Sequence, residues 1–268
     1  MAEPILEARA VTKLYPRRAG VLRRQVGTIR AVDGVSCSLN PGETLGLVGE
    51  SGCGKTTLAK LLVRLLSPSD GEVFVHGQPF AALKGSRLLA ARRAVQFVFQ
   101  DPLNSLNPRL TVGETLAEPL LIHRLARGEE RLRRIQELLA AVQLPPSYGS
   151  RLPRELSGGE RQRVGIARAL ATEPEAIICD EPIASLDVSV GAQILELLRD
   201  LSRQRRTALL FISHDLGAVA SLCERIAVMQ EGRLVELGPT EELLSRPRQP
   251  YTELLIRSAA LDLDAVRP

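Results

Sequence analysis

The feature that most constrains the fold is a glycine-rich octapeptide, GESGCGKT, at residues 49–56. It matches the pattern GxxxxGK[ST] at every position, and it lies between the apolar stretch TLGLV and the helical pattern LAKLLVRLL. Glycines allow such a loop to wrap around a polyphosphate with its backbone N–H groups pointing inward, and the following helix adds the positive end of its dipole. The octapeptide therefore predicts a strand, a phosphate-binding loop and a helix in succession.

Within this loop, two side chains have distinct predicted roles. Lys55 is expected to reach the β- and γ-phosphates, and the Thr56 hydroxyl is expected to bind Mg²⁺. An accidental glycine-rich turn is the alternative, but it would require the loop, the upstream strand and the downstream helix to coincide by chance. The residues predicted to contact the phosphates are Gly49, Glu50, Ser51, Gly52, Cys53, Gly54, Lys55, Thr56 and Thr57.

The rest of the chain alternates short apolar runs with helical patterns, which is typical of an α/β fold with a mostly parallel, covered sheet. Two early segments, 5–11 and 28–39, have the alternating pattern of a small antiparallel β layer, with the basic stretch RRAGVLRRQ between them. Residues 112–143 are predicted to form mainly two helices, with LPPSYG breaking the second. We therefore predict one domain with three parts. Residues 1–100 and 166–240 form an ATP-binding core, residues 101–165 form a helical subdomain, and residues 241–268 form a C-terminal extension.

Composition excludes several classes of protein. The longest uncharged apolar runs are far shorter than the roughly 18 residues that a membrane helix needs, and the N-terminus lacks a secretory pattern, so a cytoplasmic location is expected. The four cysteines form no CxxC pair, which favours reduced structural thiols over zinc or disulfides. The net charge of +4 comes from arginines interspersed with acids, and there is no tryptophan, so no nucleic-acid partner is expected.

Two adjacent carboxylates follow a second buried run. Four apolar residues, 176–179, precede Asp180 and Glu181, and neighbouring residues on a strand point to opposite faces. We therefore predict that Asp180 holds the hydrated Mg²⁺ and that Glu181 acts as general base toward the attacking water. A surface acidic pair is the alternative.

Two further polar residues end apolar strands. His214 follows TALLFIS and is predicted to contact the γ-phosphate or to orient the water, although a lone histidine is often structural. Gln100 closes VQFVF and is predicted to reach the Mg²⁺ or the water through its amide; alone, it would be a weak indication.

A second anion-holding pattern occurs about 100 residues after the first. The stretch LSGGERQR, residues 156–163, places Ser157, Gly158 and Gly159 at the head of a predicted helix. One chain therefore carries two features that suit a phosphate.

With GESGCGKTT, FQDP, LSGGERQR, IICDEP, SLD and ISHD in this order, the chain resembles the ATP-binding subunits of ABC transporters over nearly its whole length. The resemblance implies ATP and Mg²⁺ as ligands, Tyr15 stacked on adenine and Gln100 as the Q-loop. It also implies residues 156–160 as the signature, Ser185 to Asp187 as the D-loop and His214 as the switch histidine. For Tyr15, an ordinary half-buried aromatic is the alternative. In this family two subunits meet head to tail, and the signature of one covers the γ-phosphate held by the other, which would explain the second pattern.

Two finer stretches, 99–120 and RQPYTELL at 248–255, resemble the dipeptide, oligopeptide and nickel import group. The resemblance implies a second ATPase subunit, unlike or identical, together with two transmembrane permease subunits and an extracytoplasmic substrate-binding protein. The chain would then lie at the cytoplasmic face of the membrane. Other members carry a longer, cysteine-rich tail, so this chain resembles the shorter partner. No residue identifies the transported substrate.

Three alternatives share some or all of these motifs. A DNA-repair or chromosome-structure ATPase would need a very long coiled-coil insertion, and only about 100 residues separate the two halves of the site here. A non-transport accessory of a metabolic complex, such as the carbon–phosphorus lyase machinery, would share every motif. An export subunit is disfavoured by the two finer stretches.

Overall fold

The computed structural model describes residues 3–19, 24–101 and 105–265, and these form two compact units. One unit comprises Met1–Leu83 together with Leu210–Pro268, and the other comprises Lys84–Leu209. The strands are β1 Leu6–Ala19, β2 Arg24–Leu39, β3 Thr44–Val48, β4 Asp70–Val75, β5 Gln78–Pro79, β6 Val95–Val98, β7 Ala176–Asp180, β8 Ala208–Ile212, β9 Arg225–Gln230 and β10 Arg233–Pro239. The α-helices are α1 Lys55–Leu62, α2 Gly85–Ala94, α3 Val112–Ile122, α4 Gly128–Ala141, α5 Gly158–Leu170, α6 Val188–Arg205, α7 Leu216–Leu222, α8 Thr240–Ser245 and α9 Pro250–Ala265.

An antiparallel sheet with the order β2-β1-β4-β5 belongs to the first unit. The long strands β1 and β2 pair from Leu6 opposite Leu39 to Ala19 opposite Arg24, with several register shifts. The predicted small antiparallel layer is therefore confirmed, but its strands are longer than expected. Much of the basic stretch between them continues the pairing, while residues 20–23 lie outside the described residues.

The glycine loop of the first unit follows a fully buried strand. All five residues of β3 are buried, and β3 pairs in parallel with β9, while β10 returns antiparallel to β9. Strands buried on both faces have continuous apolar sequences, and TLGLV in β3 and the four buried residues of RIAVMQ in β9 fit this pattern. Because β3 leads directly into the loop and α1, the loop is held at the carboxyl edge of this sheet.

The second unit contains a parallel pair, β6 and β7, and most of the longer helices. Helix α3 begins at a capping box: the Thr111 hydroxyl accepts a hydrogen bond from the Glu114 N–H at 3.2 Å, and the Glu114 carboxylate accepts one from the Thr111 N–H at 2.7 Å. The predicted pair of helices in 112–143 is confirmed as α3 and α4, and a 3₁₀ segment, Pro146–Ser150, overlaps the predicted break. The predicted subdomain boundaries, 101 and 165, both fall inside this unit.

The α/β class is confirmed, with parallel pairing around β3 and between β6 and β7. Among the described residues, no helix combines the length and the apolar character needed to cross a bilayer.

Candidate functional site

Two positions of the glycine loop, residues 49–54, have no room for a side chain. Gly49 has a φ of +153°, and a Cβ placed on it would lie 2.1 Å from the Met229 carbonyl oxygen. Gly54 has a φ of +111°, and its Cβ would lie 2.0 Å from the Ala31 carbonyl oxygen. A side chain at either position would therefore clash with neighbouring backbone.

Helix α1 begins in a form suited to an anion. Its N-cap is Gly54 in the left-handed conformation, no side chain caps it, and no acidic residue lies in its first turn. The first N–H groups of a helix have no partner within the helix, and the dipole gives this end a partial positive charge. The loop and α1 together fit the phosphates of a nucleotide.

Lys55 lies beneath the loop, with only 4% of its surface exposed. Its ammonium group donates to the carbonyl oxygens of Gly49 at 2.6 Å and Glu50 at 2.9 Å. A buried ammonium held by two neutral carbonyls has a strong preference for an anionic partner. The sequence predicts that this ammonium group reaches the phosphates, and the structure places it against the first two carbonyls of the loop.

The loop also has contacts that sequence reasoning did not predict. The Glu50 N–H donates to the Tyr251 hydroxyl at 3.0 Å, and the Gly232 N–H donates to the Cys53 carbonyl at 2.9 Å. Burial raises the pKa of the Cys53 thiol, and the neighbouring Lys55 charge opposes that rise. Cys53 therefore stays a neutral thiol. The contacts of Glu50 with Tyr251 and of Cys53 with Gly232 join residues far apart in the sequence, so no local pattern in the chain indicates them.

Tyr15 and His214 also belong to the first unit. Tyr15 lies half-buried on β1, and the Lys13 ammonium lies 5.5 Å from the centroid of its ring. His214 is exposed and directly follows Ser213, whose N–H donates to the Leu47 carbonyl on β3 at 3.2 Å. His214 is thus aligned with the strand that leads into the glycine loop.

In the second unit, Gln100 and Glu181 come together. Strands β6 and β7 run parallel with Val98 opposite Cys179, so the residues that follow them meet at one edge. The Gln100 amide donates to the Glu181 carboxylate at 3.1 Å. The two residues predicted to act on the water are therefore in direct contact.

The acid pair differs in one respect from the expectation based on strand alternation. Asp180 is the last residue of β7 and is 2% exposed, whereas Glu181 lies beyond the strand with a φ of +45°. A left-handed conformation is uncommon for a residue other than glycine and is often found at functional sites. The turn, rather than strand alternation, sets the direction of the Glu181 side chain.

The second anion-holding pattern forms the start of α5. Ser157 is the N-cap: its hydroxyl accepts from the Glu160 N–H at 3.3 Å, and the Glu160 carboxylate accepts from the Ser157 N–H at 2.6 Å. A hydroxyl that accepts one hydrogen bond still has its own proton to donate. Ser157 can therefore offer a donor outward from a fixed position.

Glu160 is held from its other side by a tyrosine that sequence reasoning missed. The Tyr148 hydroxyl donates to the Glu160 carboxylate at 2.6 Å, and the Arg151 guanidinium lies 3.8 Å from the centre of the Tyr148 ring. The Tyr148 hydrogen bond is the main cause that lowers the pKa of Glu160, followed by the Ser157 N–H. Glu160 is thus ionised at neutral pH.

Gly158 and Gly159 allow the start of α5 to approach the start of α6. A Cβ on Gly159 would lie 2.4 Å from Val190 Cγ1, and one on Gly158 would lie 3.3 Å from Leu186 Cδ2. Asp187, the predicted end of the D-loop, caps α6 by accepting from the Val190 N–H at 2.9 Å. The residues around 157–159 and 185–187 therefore pack as one block.

Comparisons with known proteins agree with this geometry. Residues 32–184 match the model of the ABC transporter family. The chain is 49% identical over 259 residues to a probable peptide ABC transporter ATP-binding protein of Sinorhizobium fredii, covering 97% of this chain and 73% of that protein. It is 47% identical to the oligopeptide transport ATP-binding protein AppF of Bacillus subtilis, covering 96% of this chain and 78% of AppF.

A third relative is longer. The glutathione import ATP-binding protein GsiA of Pectobacterium atrosepticum is 47% identical over 95% of this chain, which spans only 41% of GsiA. Among solved structures, a dimeric post-hydrolysis ATP-binding cassette with bound ADP and phosphate superposes with a TM-score of 0.77 at 32% identity, covering 88% of this chain and 98% of that one.

Proposed function

Because this chain belongs to the ABC transporter family, we propose that it is the ATP-hydrolysing subunit of an import system for short peptides. The observation that carries the proposal is the similarity, over nearly the whole chain, to proteins named for peptide, oligopeptide and glutathione transport. These names favour import over the export and metabolic-accessory alternatives. They also favour peptides over nickel within the import group.

The glycine loop would hold the phosphates of ATP in this chain. The uncapped start of α1 and the buried Lys55 ammonium fit a polyphosphate in both charge and space. If the sequence prediction holds, Thr56, Asp180 and Gln100 would supply the hydroxyl, carboxylate and amide oxygens that Mg²⁺ prefers. When bound, Mg²⁺ would neutralise part of the phosphate charge.

Hydrolysis would depend on the Gln100–Glu181 pair. A carboxylate that holds an attacking water must point in a fixed direction, and the Gln100 amide restrains Glu181 with one hydrogen bond. In this role Glu181 takes a proton from the water as it attacks the γ-phosphate. His214 would contact the same phosphate or water.

The block around Ser157 would serve the nucleotide of a second subunit. Ser157 and the N–H groups at the start of α5 can donate to a γ-phosphate, and the loss of that phosphate removes the contact. A ligand shifts a conformational equilibrium only by its differential affinity for the two states. ATP would therefore hold two subunits together, and hydrolysis would release them.

The remaining partners would be two permease subunits and an extracytoplasmic binding protein, with this chain at the cytoplasmic face of the membrane. The region between Gln100 and the signature contains a groove of about 470 Å³ whose apolar lining includes Leu132, Ile135 and Leu139. This groove is a suitable place for a membrane subunit to transmit its movement.

Co-purification of the tagged chain from membranes tests the transport assignment. We expect two multi-spanning membrane proteins and a second ATP-binding subunit to accompany it, and cells that express only Glu181→Gln should fail to accumulate a labelled dipeptide. Lyase-type enzyme subunits in place of membrane proteins would refute the proposal. So would normal dipeptide uptake in the Glu181→Gln cells.

A further inference from the structure

The C-terminal helix contacts the phosphate-binding loop through a single hydroxyl. Tyr251, the second residue of α9, accepts a hydrogen bond from the Glu50 N–H at 3.0 Å. The two residues are 201 positions apart in the sequence. None of the roles described above uses this contact, yet it joins the start of the C-terminal helix to the second residue of the loop.

The position of Tyr251 is well determined by its surroundings. The Glu236 carboxylate on β10 accepts from the backbone N–H groups of Arg248 at 2.9 Å and Gln249 at 3.2 Å. A carboxylate at this end of a helix fixes the orientation of its first turn and complements its dipole. On the other side of Tyr251, the side chain of Thr252 is buried, with 1% of the residue exposed. The helix start is therefore anchored on both sides of the tyrosine.

The contact completes the restraint of one residue of the loop, Glu50, whose N–H and C=O belong to the two peptide units on either side of it. The Glu50 carbonyl accepts from the Lys55 ammonium at 2.9 Å and from the Cys53 N–H at 3.3 Å, while its N–H is bound to Tyr251. When the ammonium moves to a phosphate, it gives up its contacts with the carbonyls. The Tyr251 hydrogen bond involves no group of Lys55, so it can persist in both states.

We propose that Tyr251 is a positioning residue for nucleotide binding, which holds the start of the glycine loop in its phosphate-binding shape through the Glu50 N–H. The inference rests on the proposed binding of ATP at this loop. It makes the C-terminal segment from Arg248 to Tyr251 part of the nucleotide site. Because the Glu50 N–H is engaged by Tyr251, the phosphates must be held by N–H groups further along the loop.

The test is Tyr251→Phe, which removes one oxygen and keeps the ring. We expect the dissociation constant for radiolabelled ATP, measured by equilibrium dialysis on the full chain, to rise about two- to tenfold, the range for one neutral hydrogen bond. In the assembled transporter KM should rise by a similar factor and kcat should change less than twofold. The thermal midpoint without nucleotide should stay the same, because water can replace the hydroxyl at the exposed Glu50.

The matched control is Thr252→Val, which removes the adjacent hydroxyl. The Thr252 Oγ1 is buried without a hydrogen-bond partner among the described residues, so its loss should leave ATP affinity unchanged. Unchanged affinity in Tyr251→Phe would overturn the inference, as would an equal loss in both variants, which would indicate a general disturbance of α9. The Lys55→Ala variant tests ATP binding at this loop separately from the role of Tyr251. Normal ATP affinity in Lys55→Ala would refute ATP binding at this loop.

Discussion

Gly159→Ala is the sharpest test of how the signature is packed. The added Cβ would lie 2.4 Å from Val190 Cγ1, about 1 Å inside ordinary contact, and overpacking of this kind costs about 1–3 kcal/mol. Gly165 lies in the same helix with nothing within 4 Å of its added Cβ, so Gly165→Ala should gain the usual ~0.5–1 kcal/mol of helix propensity. The packing cost at Gly159 therefore dominates the difference between the two variants.

Equilibrium unfolding in urea, without nucleotide, measures this difference. A gap of about 2 kcal/mol corresponds to roughly 1 M in the midpoint for an m-value of about 2 kcal/mol/M. Adding Val190→Ala to the Gly159→Ala background should restore part of the lost stability, with a coupling energy of about 1 kcal/mol or more between the two sites. If Gly159→Ala were as stable as Gly165→Ala, the close approach of α5 to α6 would be refuted.

Four further substitutions test the site. Lys55→Ala should weaken ATP binding at least ~10-fold, because charge-assisted hydrogen bonds are lost; unchanged affinity in equilibrium dialysis would contradict the role of the loop. Glu181→Gln should lower phosphate release by about 10²–10⁴-fold while ATP still binds and drives dimerisation in gel filtration; near-normal turnover would exclude the general base. Ser157→Arg should abolish hydrolysis without changing the chain's own ATP affinity, and full activity with an intact partner at both sites would argue against pairing. Tyr148→Phe, which loosens Glu160, should lower kcat severalfold at constant ATP affinity; a parallel loss of affinity would assign Tyr148 to folding instead.

The parts of this structure that could be predicted from sequence are those set by local patterns. TLGLV, AIICD and ALLFI are almost entirely apolar, and all three are fully buried strands. By contrast, the apolar residues of helix α2 are mostly alanines interspersed with three arginines and show little periodicity, and only Ala91 is buried in it, so no local signal distinguished it. Strand β10 alternates weakly and was likewise not expected.

Contacts within the site were predictable only where strand order implied them. Gln100 and Glu181 each follow an apolar strand, and the carboxyl ends of parallel neighbours meet, so their proximity follows from the fold. Tyr251 and Tyr148 lie on helical or 3₁₀ segments outside the sheet. Their hydrogen bonds depend on how these segments pack, which periodicity does not encode. Tyr251 lies in the stretch RQPYTELL, but that stretch gives no indication of the partner of its hydroxyl.

The two anion-holding features differ in a way that assigns them different tasks. Helix α1 has a cationic side chain and no acid in its first turn, whereas α5 carries the ionised Glu160 in its first turn. A carboxylate there already occupies the positive end of the helix dipole and repels a free phosphate. The start of α5 should therefore bind phosphate poorly by itself and contribute only when another group delivers the nucleotide to it. In the proposed pairing, a glycine loop on a second subunit would provide that delivery. ATP binding and subunit pairing would then depend on each other, because the start of α5 is weak as an independent site.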